Sequence, residues 1–150
     1  MKPYEIREGR LLISDDKKLL DHQLIYAFLS ERSYWARGIP AKLVDRSIRH
    51  SLCIGIYKGG RQVGFARAVT DFATFAWVAD VFVVEKRRGH GLGKKLVAGM
   101  LAHPRLQGLR RVMLGTMDAH KLYERFGFAP IKQVERLMEM RLQNGYKSSC

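Results

Sequence analysis

The chain has two cysteines, four prolines and few acids in its 150 residues: 14 Asp plus Glu face 27 Lys plus Arg, a net charge of +13. Two cysteines cannot build a disulfide framework, and Cys53 sits in the apolar run Ser51-Leu-Cys-Ile-Gly-Ile while Cys150 is the last residue, so both are expected as free thiols. The histidines at 22, 50, 90, 103 and 120 lack the paired spacings of metal sites, and no metal is expected. No apolar run approaches bilayer length, which argues against membrane insertion. The charged start, Met1-Lys-Pro-Tyr-Glu-Ile-Arg-Glu, lacks the apolar core of a cleaved signal, so a cytoplasmic chain is expected. With 47% hydrophobic and 10% aromatic residues the sequence is not disordered, and its length suits one domain over 1–150. The shortage of acids predicts an anionic partner without choosing among nucleic acid, an acidic surface and a phosphate-rich ligand.

Apolar patterning supplies the elements. Residues 4–13 read as a first strand, with Ser14, Asp15 and Asp16 as cap candidates for a helix over 19–29. A second helix is expected after Pro40, joined to the first by the aromatic link Ser33-Tyr-Trp-Ala-Arg-Gly-Ile-Pro. Strands over 52–57, 62–70 and 75–84 form a meander, its first turn marked by Lys58-Gly-Gly-Arg. A helix with Leu92, Leu96, Val97, Met100 and Leu101 on one face closes at His103-Pro104. Another strand over 112–117, a helix capped by Asp118 and stopped by Gly127, and a last strand over 137–142 follow, with 144–150 as a polar, flexible tail. The order predicts an α+β fold with a mixed, mostly antiparallel central sheet and helices on both faces.

The segment from Val81 to Leu96 carries the chemistry. Gly89, Gly91 and Gly93 clear side chains from a strand-to-helix turn where backbone N–H groups and a helix N-terminus meet an anion, and Arg88, Lys94 and Lys95 add charge there. A Walker loop is excluded because Gly89 lies four residues before Gly93 and Lys94 is followed by Lys95, not Ser or Thr. The Gly-x-Gly-x-Gly spacing after a meander also excludes a dinucleotide fingerprint. A tight connection without a ligand is the plain alternative.

Arg88-Gly-His-Gly-Leu-Gly93, together with Asp118-Ala-His-Lys-Leu-Tyr-Glu-Arg-Phe-Gly-Phe128, resembles the acyl-CoA pyrophosphate loop and the later Leu-Tyr-x-x-x-Gly-Phe motif of the GNAT superfamily of N-acyltransferases. The resemblance covers nearly the whole chain. It implies acetyl-CoA as cosubstrate, held by Val81, Phe82, Val83, Arg88, Gly89, His90, Gly91, Leu92, Gly93 and Lys94, with the pantetheine arm on the backbone of a strand splayed by a bulge. It also implies an amine acceptor attacking the thioester directly. Tyr123 matches the general acid that protonates the departing thiolate, its alternative being a core tyrosine.

For the base, Asp80, Asp71 and a water chain stay open, and Asp80 reads equally as a satisfied structural carboxylate. Strand alternation places Asp80 on one face with Val78 and Phe82. Tyr34, Trp35, Arg37 and Asp71 are the candidate acceptor wall, although exposed aromatics could equally seal a homodimer. Two other functions compete: a basic nucleic-acid-binding module, which lacks any recognition motif, and an acyl-CoA sensor without turnover.

Overall fold

Tyr4 donates its backbone N–H to Asp15 Oδ1 at 2.9 Å, which closes a hairpin where one strand was expected. The computed structural model describes residues 2–142 and 146. Strand β1 (Glu5–Glu8) pairs antiparallel with β2 (Leu11–Ser14). The chain reverses at Gly9, whose φ of +59° is open to glycine at no steric cost. Tyr4 and Ile6 before the turn and Leu11-Leu-Ile after it read as one strand, which conceals the turn in the sequence.

The helix expected over 19–29 is broken. Asp16 caps a short 3₁₀ turn at Lys17–Leu19, and Asp21 then accepts from the Leu24 N–H at 3.0 Å to start α1 (His22–Ala27). A π-turn at Phe28–Arg32 continues it. Helix α2 (Ala41–Arg49) starts after Pro40 as its fixed φ favours. Strands β3 (Leu52–Lys58), β4 (Arg61–Thr70) and β5 (Phe75–Val83) form the expected antiparallel meander. After α3 (Leu92–Leu101), β6 (Arg111–Leu114) joins β5 in parallel, giving the sheet order β1-β2-β3-β4-β5-β6.

Side chains alternate across this sheet into two cores. On one face Ile54, Ile56, Ala66, Ala68 and Val78 pack against Leu92, Leu96 and Met100 of α3. On the other, Cys53, Phe65 and Phe82 meet Ile25, Phe28 and Leu29 of the first helical segment and Val44 and Ile48 of α2. A strand covered on both faces has no polar side, which is why β3 reads as one apolar run. This is the α+β sheet with helices on both faces that the element order predicts. No helix among the described residues is long and apolar enough to cross a membrane.

The chain divides into two units, Met1–Gly115 and Thr116–Cys150. In the second, α4 (His120–Glu124) is capped by Ala119 without a side-chain bond, so Asp118 is not the cap; Thr116 Oγ1 instead accepts from the Ala119 N–H at 3.0 Å. Gly127, at φ +95°, ends the helix as expected, and the Phe128 N–H turns back to the Tyr123 carbonyl. Residues 137–142 form no strand. Met138, Met140 and Leu142 alternate as a strand face would, but they are 97%, 85% and 74% exposed and no ladder partner lies among the described residues. The expected tail at 144–150, Cys150 included, lies outside the described residues except for Tyr146.

Candidate active site

Arg67 opposes Asp80 and Ala68 opposes Val78, so Ala79 is an extra residue in β5. Such a bulge shifts the side-chain phase by one. Val78 accordingly packs on the α3 face, whereas Asp80 emerges beside Phe82 on the face of α1 and α2. Simple alternation placed Asp80 with both Val78 and Phe82; the bulge separates it from Val78. The same residue marks where β5 parts from β6, because their pairing ends at Val78 opposite Leu114. From Ala79 to Val83 that edge of β5 has no strand neighbour among the described residues, which leaves its backbone groups without a ladder partner there, the Val83 carbonyl being taken up by Arg88 Nε.

Asp80 is 5% exposed, and both of its oxygens are engaged. Trp35 Nε1 donates to Oδ1 at 2.7 Å, and Arg67 Nε donates to Oδ2 at 2.7 Å in a buried ion pair. Arg67 Nη1 reaches on to Ser51 Oγ at 2.9 Å. The link carrying Trp35 is itself tied down, since Ser33 Oγ donates to the Leu29 carbonyl and accepts from the Ala36 N–H. Tyr34 packs edge-on to Trp35 with centroids 5.0 Å apart, and both rings keep an exposed edge.

The other two wall candidates lie apart from this cluster. Arg37 is exposed on the link. Asp71 is exposed in the β4–β5 turn, where its carboxylate accepts from the Thr74 hydroxyl and from the N–H groups of Thr74, Ala73 and Phe75. These bonds, the Thr74 hydroxyl foremost, hold its carboxyl well below the usual range. An aspartate so engaged is a turn cap before it is a base.

Between β5 and α3, Gly89 and Gly91 take φ of +85° and +75°, which a β-carbon would strain. Gly91 is the N-cap of α3 and makes no side-chain cap bond, so the first-turn N–H groups remain for an anion. Gly93 is different: it has helical geometry and an added β-carbon would meet nothing nearer than 3.9 Å, so its bareness gives room and not a turn. His90 and Lys94 are exposed at the mouth. Lys95 is paired with Glu8 at 2.8 Å, and Arg88 Nε folds back onto the Val83 carbonyl at 3.1 Å. Leu92 and Phe82 point into the two cores, with Phe82 stacked on Phe28 at 3.9 Å, so only their backbone can serve a ligand.

The acetyltransferase (GNAT) family model matches residues 21–128. The chain belongs to the GNAT acetyltransferase family. A Gibberella zeae protein assigned as an acetyltransferase is 32% identical over 144 residues, which cover 81% of this chain and 80% of that protein. A crystal structure of a Xanthomonas campestris protein assigned to the GNAT family superposes with a TM-score of 0.88 at 48% identity, covering 93% of this chain and 99% of the other. The fold also matches an Elizabethkingia anophelis GNAT acetyltransferase with acetyl-CoA bound, with a TM-score of 0.63 at 14% identity over 92% of each chain.

In the second unit of this GNAT acetyltransferase, Tyr123 is buried and its ring meets Phe128 edge-on at 5.7 Å. Cys53 is buried at the other extreme of reactivity: desolvation pushes its thiol up to about 12. Sequence reasoning missed Arg67 and Ser51. The signal was there, because an arginine inside the apolar run Val63-Gly-Phe-Ala-Arg-Ala-Val needs a buried acid, and Asp80 is the only acid in β5.

Proposed function

We propose that this acetyltransferase moves the acetyl group of acetyl-CoA directly onto a primary amine of a small molecule or peptide, in a ternary complex in the cytoplasm. Residues 1–150 are taken as a single catalytic domain in this reading. The observation that carries the reading is the edge of β5 from Ala79 to Val83, which has no strand neighbour among the described residues and leads to the glycine loop at Gly89–Gly93. That edge offers alternating N–H and C=O groups to the pantetheine amides, and one N–H to the thioester oxygen as its charge develops. The N-terminus of α3, with Lys94 beside it, takes the pyrophosphate.

The amine nitrogen attacks the thioester carbon, the C–S bond breaks, and Tyr123 donates its phenolic proton to the leaving thiolate. No covalent enzyme intermediate forms. The engagement of both Asp80 oxygens supports a positioning role, holding Trp35 and Tyr34 as the acceptor wall, with the amine proton leaving through water.

Thermal denaturation with and without acetyl-CoA tests the reading, since a ligand that binds only the folded chain raises Tm. A saturable rise, absent with ATP and NAD at equal concentration, is expected and opens a screen of amine acceptors. No rise would overturn it and favour the basic nucleic-acid-binding alternative. A rise without acetyl transfer to any amine would favour the sensor.

A further inference from the structure

A second site lies in the first unit, outside the residues given a part in acetyl transfer above, and touches that cluster only through Ser51. The loops following β2, α2, β4 and α3 enclose a cleft of about 370 Å³. This is near the lower end of small-ligand cavities. Lys17, Arg49, His50 and Arg105 line it, with Leu52 and Cys53 at its buried floor. Its one acid, Asp15, is already spent: Oδ1 accepts from the Tyr4 N–H and Oδ2 from His103 Nε2 at 2.8 Å. Among the described residues no carboxylate pairs with Lys17, Arg49, His50 or Arg105.

Two of these cations, Arg105 and Lys17, are held in place. Phe72 takes φ +61°, the one positive value among described non-glycine residues, and Thr70 Oγ1 fixes that turn by accepting the Phe72 N–H. The ring so placed lies 3.6 Å beneath the Arg105 guanidinium. The Arg105 N–H donates to His103 Nδ1, which fixes the imidazole with its proton on Nε2, toward Asp15. Lys17 Nζ caps the Arg49 carbonyl at 3.2 Å, which offsets the negative end of α2 that would otherwise repel an anion. Ser51 Oγ accepts from Arg67, leaving its hydroxyl proton to donate.

We propose that this cleft binds the phosphoryl group of a small, soluble phosphomonoester. Two arginines and a lysine around a hydroxyl donor suit a dianion with three acceptor oxygens better than a carboxylate. At about 370 Å³ the cleft suits a small molecule and not a long acyl tail.

The test is a titration of the full ¹⁵N-labelled chain with inorganic phosphate, read at assigned backbone amides so that the cleft and the glycine loop report separately. Saturable shifts at Ser51, Leu52, Phe72 and Arg105 are expected, with an affinity weakened about tenfold or more by Arg49→Gln combined with Arg105→Gln. The remaining resonances of that variant show whether it folds, and Lys17→Gln alone gives a milder second probe. Shifts confined to residues 88–95, shifts that never saturate, or unchanged affinity in a folded variant would overturn the site. Equal affinity for acetate would overturn the phosphoryl assignment. Capture by phosphatidic-acid vesicles, with no response to inorganic phosphate, would overturn the soluble ligand.

Discussion

The indole N–H of Trp35 donates to Asp80 at 2.7 Å, joining the α1–α2 link to the bulge of β5 across 45 residues of sequence. A long-range bond of this kind fixes a side chain that the link alone would leave free, so the aromatic wall is as rigid as the sheet under it. Trp35→Phe keeps an aromatic ring at the position but removes the N–H donor together with part of the indole. We expect it to raise the acceptor KM severalfold with a smaller change in kcat, and to leave acetyl-CoA affinity unchanged, as steady-state kinetics with the best amine from a screen will show.

Asp80→Asn separates positioning from proton transfer. The amide still accepts from one donor but leaves the Arg67 guanidinium without its counter-charge, and breaking a buried pair from one side costs about 3–5 kcal/mol when the partner is fully stranded. The Ser51 contact and the retained amide oxygen reduce this, so a loss of about 1–3 kcal/mol in urea denaturation is expected. If Asp80 positions the wall, the pH dependence of kcat/KM keeps its shape in the variant. A vanished limb would restore Asp80 as the base.

The glycine loop permits a sharper test. Aspartate tolerates left-handed φ better than most residues, so Gly91→Asp is expected to preserve the fold while setting a carboxylate against the anion site. The variant should lose the acetyl-CoA-induced rise in Tm. Retention of normal binding would place the cofactor elsewhere.

What was legible depends on how local each signal is. The Gly59-Gly60 turn, the Pro40 start of α2 and the close of α3 at His103-Pro104 are encoded within a few residues, and they stand as read. The glycine loop is equally local. The bulge at Ala79 is not, because it exists only as a mismatch in residue count between β4 and β5, and period-two alternation assumes none. The partners of Asp80 were hidden for the same reason, since Trp35 and Arg67 reach it through tertiary packing. The strand expected over 137–142 fails differently: alternation gives a strand its face but cannot supply a neighbour.

Tyr123→Phe removes the proton and keeps the ring contact with Phe128. As a general acid Tyr123 is worth about 10²–10⁴ in rate, so kcat should fall by at least tenfold while acetyl-CoA affinity changes little. Equal losses in both would make Tyr123 structural.

The Cys53 thiol gives a prediction about alkaline stability. Burial raises it from 9.0 in the reference state to about 12, so the folded chain keeps its proton where the unfolded chain loses it. Its contribution to stability is fully present below pH 9 and is lost as pH climbs toward 12, at about 1.4 kcal/mol per pH unit from this one group. Cys53→Ala should flatten urea-denaturation stability over that window relative to the parent. Peptide mapping after iodoacetamide treatment gives an independent reading: Cys53 is expected to stay unmodified at pH 8 in the folded protein and to label fully in urea. Rapid labelling of Cys53 in the folded state would mean that the Ile48 carbonyl and the α2 core do not shield it as the 3.6 Å contact indicates.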